Sequence, residues 1–275
     1  MFKTRLISGI IVAVTMLGLT WLGGIYLSAA LLIAALIGSF EFYRATGVLP
    51  EGRKISPNTG ISYCFTVIYY CFLTFAKDKL FWLIFVTVVF LLVLLALYVF
   101  SYPVYVAKDI IFTFFGYFYV SVMISFLYLT RSLEDGIFIV ILVFTSSWLC
   151  DVFAYFTGML IGKHRLCPNL SPKKSIEGAI GGIVFPAIIA GLYGLVISRW
   201  YSPDYPLVAS CVVLTAVGAA VSMLGDLSAS AIKRNYEIKD YGTLIPGHGG
   251  ILDRFDSMIF TAPMIYFTAV LIAGM

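Results

Sequence analysis

Apolar runs long enough to cross a bilayer alternate along the chain with short polar breaks. A spanning helix takes about 20 mostly apolar residues. The pattern predicts about nine such helices, near 6–21, 25–43, 59–76, 80–100, 110–130, 137–161, 178–198, 206–231 and 250–274. The breaks are plain. Arg44 to Lys54 follows the second run, Lys77-Asp78-Lys79 the third, and Lys108-Asp109 precedes the fifth. Arg131 to Asp135 and a long basic loop from Lys163 to Ser175 come later. No strand-length segments alternate apolar and polar residues, which argues against a barrel.

Composition agrees with the pattern. Hydrophobic residues make up 61% of the 275 positions, charged residues 12%, and the mean hydropathy is +1.00. The fold class expected is an all-α polytopic membrane protein. The basic start and first apolar run resemble a signal peptide, but the second run follows at once, so a retained helical hairpin is expected. Cys64, Cys71, Cys150, Cys167 and Cys211 show no metal-ligand spacing, and most lie in apolar runs as small core residues.

The net charge of +4 matters less than its placement. With the N-terminus inside, fourteen Lys and Arg fall on cytoplasmic segments, and Lys77, Lys79, Arg131 and Arg199 fall opposite. The positive-inside rule then puts the N-terminus in the cytoplasm and the C-terminus on the other side. Two regions are expected. Residues 1–135 are N-terminal transmembrane helices suited to packing and oligomer contacts. Residues 136–275 are a catalytic transmembrane region carrying two cytoplasmic loops, and they hold the intramembrane carboxylates. Ala154, Gly158 and Gly162 recur every four residues, as do Gly178 and Gly182, a spacing for close helix packing.

Candidate chemistry sits in residues 226–256, where 31 positions hold five carboxylates and four cations. Asp253 and Asp256 share one helix face. Asp226 lies five or six residues before the expected end of its span, and Asp151 lies deeper in the sixth. Carboxylates in a bilayer are costly and mark function. A hard divalent ion needs such groups, and Mg²⁺ takes one or two of them plus substrate phosphates.

Two loops invite phosphate. Ser171-Pro172-Lys173-Lys174-Ser175-Ile176-Glu177-Gly178 predicts a helix start capped by Ser175 with two lysines before it. Gly247-His248-Gly249-Gly250 opens the last helix with N–H groups able to face an anion.

The run Ser230-x2-Lys233-Arg234-x4-Lys239-Asp240-x-Gly242-x2-Ile245-Pro246-Gly247-His248-Gly249-Gly250-x2-Asp253-Arg254-Phe255-Asp256 resembles the signature of the phosphatidate cytidylyltransferase family. Asp151-x2-Ala154-Tyr155-Phe156-x-Gly158 and the Ser171 to Gly178 segment are similar to that family's other shared region. The resemblance covers roughly residues 145–260; the N-terminal half matches only in being a bundle of apolar helices.

The resemblance implies that CTP and phosphatidate give CDP-diacylglycerol and pyrophosphate with a divalent ion, Mg²⁺ or another. It makes Asp226, Asp253, Lys233 and His248 catalytic candidates, and Asp226, Asp253 and Asp256 metal ligands. Ser171, Lys173, Lys174, Glu177, Arg234, Lys239, Asp240, Gly249, Arg254 and Asp151 become substrate-binding candidates. It further implies a homodimer in contact with membrane lipid, in a bacterial inner membrane with the site facing the cytoplasm; no nucleic-acid partner is expected. The alternative is an ion-coupled transporter using the same carboxylates. Against it, the charges gather in one half of the chain without a matching set in the other. A CDP-alcohol phosphotransferase would carry a DG-x2-AR start, which is absent from the chain.

Overall fold

A computed structural model describes residues 2–49, 52, 55–168, 170–201, 206–245, 247 and 249–273, with side chains from Ile7 onward. The first helices are α1 (Phe2–Leu22), α2 (Gly24–Ala45), α3 (Pro57–Phe75) and α4 (Lys79–Phe100). A continuous helical span follows: α5 (Ala107–Gly116), a π-helical stretch (Tyr117–Val122) and α6 (Met123–Arg131). A second such span is α7 (Gly136–Phe144), a π-helical stretch (Thr145–Leu149) and α8 (Cys150–Ile161). Strands β1 (Arg165–Cys167) and β2 (Ser171–Ser175) lead to α9 (Ile176–Ile197), α10 (Leu207–Asn235) and α11 (Leu252–Ala273).

The chain is largely helical, and among the described residues seven helices are long and apolar enough to cross a membrane, against about nine expected. The other two are α1, whose described apolar stretch is Ile7–Leu22, and α3. α3 falls short because it carries a polar inner face. Asn58, Thr59, Ser62, Thr66, Tyr69 and Tyr70 are all buried along it.

Two compact units divide the chain: residues up to Tyr128 with Tyr236–Arg254, and Leu129–Asn235 with residues from Phe255 onward. The return of 236–254 to the N-terminal unit was not legible in the composition.

In the first unit the inner face of α3 is satisfied by hydrogen bonds between helices. The Tyr43 hydroxyl pairs with Ser62 Oγ at 2.6 Å and donates to the Thr113 carbonyl at 2.8 Å. Asn58 Nδ2 donates to Thr113 Oγ1 at 3.0 Å, and Tyr69 meets Ser125 at 2.9 Å. Buried polar groups left unpaired in an apolar interior are costly, so this lattice fixes the register of α2, α3 and α5. α4 is simpler. Only Leu83, Val86, Phe90 and Leu94 are buried, a single stripe at helical spacing.

The second unit packs α8 against α9 through the small residues expected there. A Cβ added at Gly178 would lie 2.7 Å from the Ala154 carbonyl, and one at Gly182 would lie 3.0 Å from Ala154 Cβ. Pro186 lies inside α9 and Pro263 inside α11 without ending either helix. Cys150, Ala219 and Met223 form a small core beneath Ala179 and Ile183. All five cysteines are free. Two features depart from the expected all-helical outline. The loop after α8 folds as a hairpin, and α10 runs four residues beyond the expected end at 231.

Candidate functional site

The hairpin is built by local rules. Residues preceding proline favour extended backbone, and Ser171-Pro172 opens β2, which pairs antiparallel with β1. Lys173 and Lys174 therefore lie on a strand rather than inside a helix start. The helix begins at Ile176, and its cap is the expected one: Ser175 Oγ accepts from the Gly178 N–H at 3.1 Å. Glu177, a substrate-binding candidate, ties the two ends of the hairpin together. Its carboxylate meets His164 Nδ1 at 2.6 Å and accepts the Lys163 N–H at 3.1 Å and the His164 N–H at 3.2 Å. Ser171 is half-buried in β2, and Lys173 is exposed.

Lys174 turns toward the helices and forms an ion pair with Asp226 of α10, with 26% and 28% of the two side chains exposed. Asp226, Lys233 and Asp151 are the charged groups that act on Asp256, and Asp151, Lys174 and Asp226 are those felt at Cys150. α10 and α11 can approach this closely because residue 225 is glycine. A Cβ there would sit 2.8 Å from the Asp256 carbonyl.

Asp151, Asp226 and Lys233 thus lie within electrostatic reach of Asp256, and Lys174 pairs with Asp226. Among the described residues, no three His, Cys, Asp or Glu side chains are grouped to hold an ion by themselves. Mg²⁺ needs only one or two carboxylates when phosphates complete its shell, so Asp226 and Asp256 fit such an ion. Beside them opens a cavity of about 280 Å³, with Asp151, Lys173 and Lys174 among its walls together with Tyr155, Met159 and Met223. Lys233 and Arg234 occupy the last turn of α10, half-buried and exposed respectively.

The signature segment in the first unit does something different. Gly247 and Gly249 take left-handed φ of 77° and 79°, and the Ile245 N–H reaches the Gly249 carbonyl at 2.9 Å, closing a tight turn. Of the N–H groups expected to face a phosphate, that of Gly250 goes to one of the protein's own acids, as do neighbouring backbone donors. Asp253 Oδ2 accepts from Tyr241 at 2.8 Å and from Gly250 at 3.0 Å. Glu41, at the end of α2, accepts from Ile251 and Leu252 at 3.1 and 2.8 Å. A helix start offers unmet N–H groups and favours negative charge, and here two carboxylates have taken that place. Lys239, Asp240 and Arg254 are exposed on the same segment. His248 and Pro246 lie outside the described residues.

Glu41 was missed in the sequence, although a signal existed. It is the one acid in a largely apolar helix, the kind of residue that draws notice in a membrane span.

The cytidylyltransferase family model matches residues 3–272. The chain is 40% identical over 156 residues to a phosphatidate cytidylyltransferase of Thermotoga maritima, covering 57% of each protein. It is 40% identical over 148 residues to one of Staphylococcus haemolyticus, 54% of each. A third, from Bacillus subtilis, is 44% identical over 120 residues, 44% of this chain and 43% of the relative. The chain thus spans between 43% and 57% of the length of these relatives.

Proposed function

The chain belongs to the cytidylyltransferase family, and from that premise we propose that it transfers the cytidylyl group of CTP to phosphatidate. An oxygen of the lipid phosphate attacks the α-phosphorus of CTP. The new P–O bond forms as the α–β bridge breaks, giving CDP-diacylglycerol and pyrophosphate. The observation that carries this reading is the cavity beside Lys174. It sets two lysines and Asp151 against Tyr155, Met159 and Met223, a lining suited to a phosphate attached to an apolar tail.

Two polyanions must meet, so catalysis is mainly positioning and neutralisation of charge. A bound divalent ion would supply neutralisation at the phosphate oxygens. Asp226 and Asp256 are the carboxylates that fit it. For Asp253, one oxygen already takes two backbone N–H groups, and its share in holding the ion is proposed from the family resemblance. Lys174 is held ready by Asp226, and Lys173 and Lys233 add cations for the phosphates. A phosphate monoester is already nucleophilic, so no strong base is required. Arg234, Lys239, Asp240, Gly249 and Arg254 are proposed to meet the nucleotide. His248 is proposed to hydrogen-bond a phosphate.

We further propose a cytoplasmic N-terminus, a C-terminus on the opposite side, and a homodimer in a bacterial inner membrane. CTP then arrives from the cytoplasm and phosphatidate from the adjoining leaflet. The fourteen-to-four placement of cations supports this orientation.

The test is direct. Purified protein given α-labelled CTP, phosphatidate vesicles and Mg²⁺ should place label in chloroform-soluble lipid and release one pyrophosphate per lipid labelled. Ion flux without lipid labelling would replace this reading with a transporter. Within it, Lys174→Met is expected to lower kcat/KM by roughly 10–100-fold, the scale of losing a group that orients a ligand. Lys163→Ala should stay within about twofold, because the contact at residue 163 is made by its backbone N–H. Equal losses in the two variants would point to a diffuse electrostatic role for the whole loop.

A further inference from the structure

We propose that Glu41 is a positioning residue for the reaction, fixing the start of α11 and with it Asp253. The proposal rests on the transfer reaction above and adds a residue from the N-terminal half, where the sequence showed only packing.

Glu41 is 4% exposed and splits its carboxylate between two donors. Oε1 accepts from Ile251 and Oε2 from Leu252, the first residue of α11. The segment is shaped to receive it. A Cβ at residue 250 would lie 2.4 Å from both Glu41 oxygens, and one at residue 242 would lie 2.2 Å from Oε1. Both are glycines. One turn further along α2, Arg44 donates to the Tyr241 carbonyl at 3.1 Å. Asp253 returns from α11 to take the Tyr241 and Gly250 N–H groups.

The loop is therefore clamped from two sides. Glu41 and Arg44 hold it from α2, and Asp253 holds it from within. Four backbone donors go to two carboxylates, and the arrangement holds the first turn of α11 in place. A helix turns about 100° per residue, so a slip of one position at its start would swing Asp253 to another face.

A strut of this kind acts on the geometry of turnover more than on substrate affinity. Glu41→Gln keeps the shape but replaces one oxygen by an NH₂ group that cannot accept. Amide hydrogen exchange in detergent micelles, read on peptides covering 249–254, should speed up at least tenfold in this variant, while α2 peptides stay protected. In vesicles, kcat should fall at least tenfold with KM for CTP changed less than threefold. Glu41→Asp, which keeps the charge, should recover part of both.

Unchanged exchange at 249–254 would overturn the strut. Faster exchange with unchanged kcat would overturn its link to the reaction. If Glu41→Gln fails to insert, Glu41→Asp carries both readouts alone, with intermediate values expected and wild-type values overturning the proposal. Wild-type protein that labels no lipid would overturn the transfer reading, and the exchange arm would still decide the strut.

Discussion

Asp226→Asn is expected to lower kcat by roughly 10²–10³-fold while the protein still inserts and elutes as a single species. A ligand that helps neutralise transferring phosphates contributes several kcal/mol, and each 1.36 kcal/mol is about a factor of ten. An amide is a poor partner for a hard cation, and the same change strips Lys174 of its counter-charge. The two effects act together, because Asp226 stands among the charges that bear on Asp256. Lipid labelling at saturating and limiting Mg²⁺ measures the loss, with membrane content checked by immunoblot. Activity within about threefold of wild type at both concentrations would remove Asp226 from the machinery.

Gly250→Ala should be strongly destabilising. Its Cβ would meet both Glu41 oxygens at 2.4 Å, and Glu41 can retreat only by releasing the Ile251 and Leu252 N–H groups. A hydrogen bond to a charged group is worth about 1.5–3 kcal/mol, so losing two costs roughly 3–6 kcal/mol. The apparent melting temperature in detergent should fall by at least about 6 °C. The double variant Glu41→Ala/Gly250→Ala tests the cause. With the carboxylate gone the added methyl has room, so the double change should cost clearly less than the two single losses summed. Simple additivity would show that the methyl clashes with something else.

Much of this molecule is visible in the order of its residues, and the reasons are local. Apolar runs mark helices because length and hydropathy suffice in a bilayer. The glycines of α8 and α9 mark a close crossing because only small residues allow it. Ser175 marks a helix start because its hydroxyl fits the Gly178 N–H. Asp151, Asp226 and Asp256 stood out as carboxylates among apolar neighbours, and the structure groups them in one unit around the charges of Lys174 and Lys233.

What stayed hidden depends on contacts distant in sequence. The spacing of Gly249 and Gly250 suggests a cradle for an anion but not which anion fills it. The answer, Glu41, lies 210 residues from Ile251. The contacts of Glu177 with Lys163 and His164 were not visible because these residues face it only once β1 and β2 pair. The polar face of α3 was read as an ordinary span because hydropathy averages over a helix and ignores which side each residue occupies.

The long reach between Glu41 and α11 bears on how the protein is made. Ribosomes add about 5–20 residues per second, so Glu41 enters the membrane roughly 10–40 s before its backbone partners, 210 and 211 residues downstream, have been synthesised. Throughout that interval α2 holds an uncapped carboxylate. Glu41 lies four residues before the helix ends at Ala45. The last helix then does more than complete the bundle: its arrival dehydrates the acid and locks the signature segment. Chains that stop short of residue 251 lack both backbone partners of Glu41.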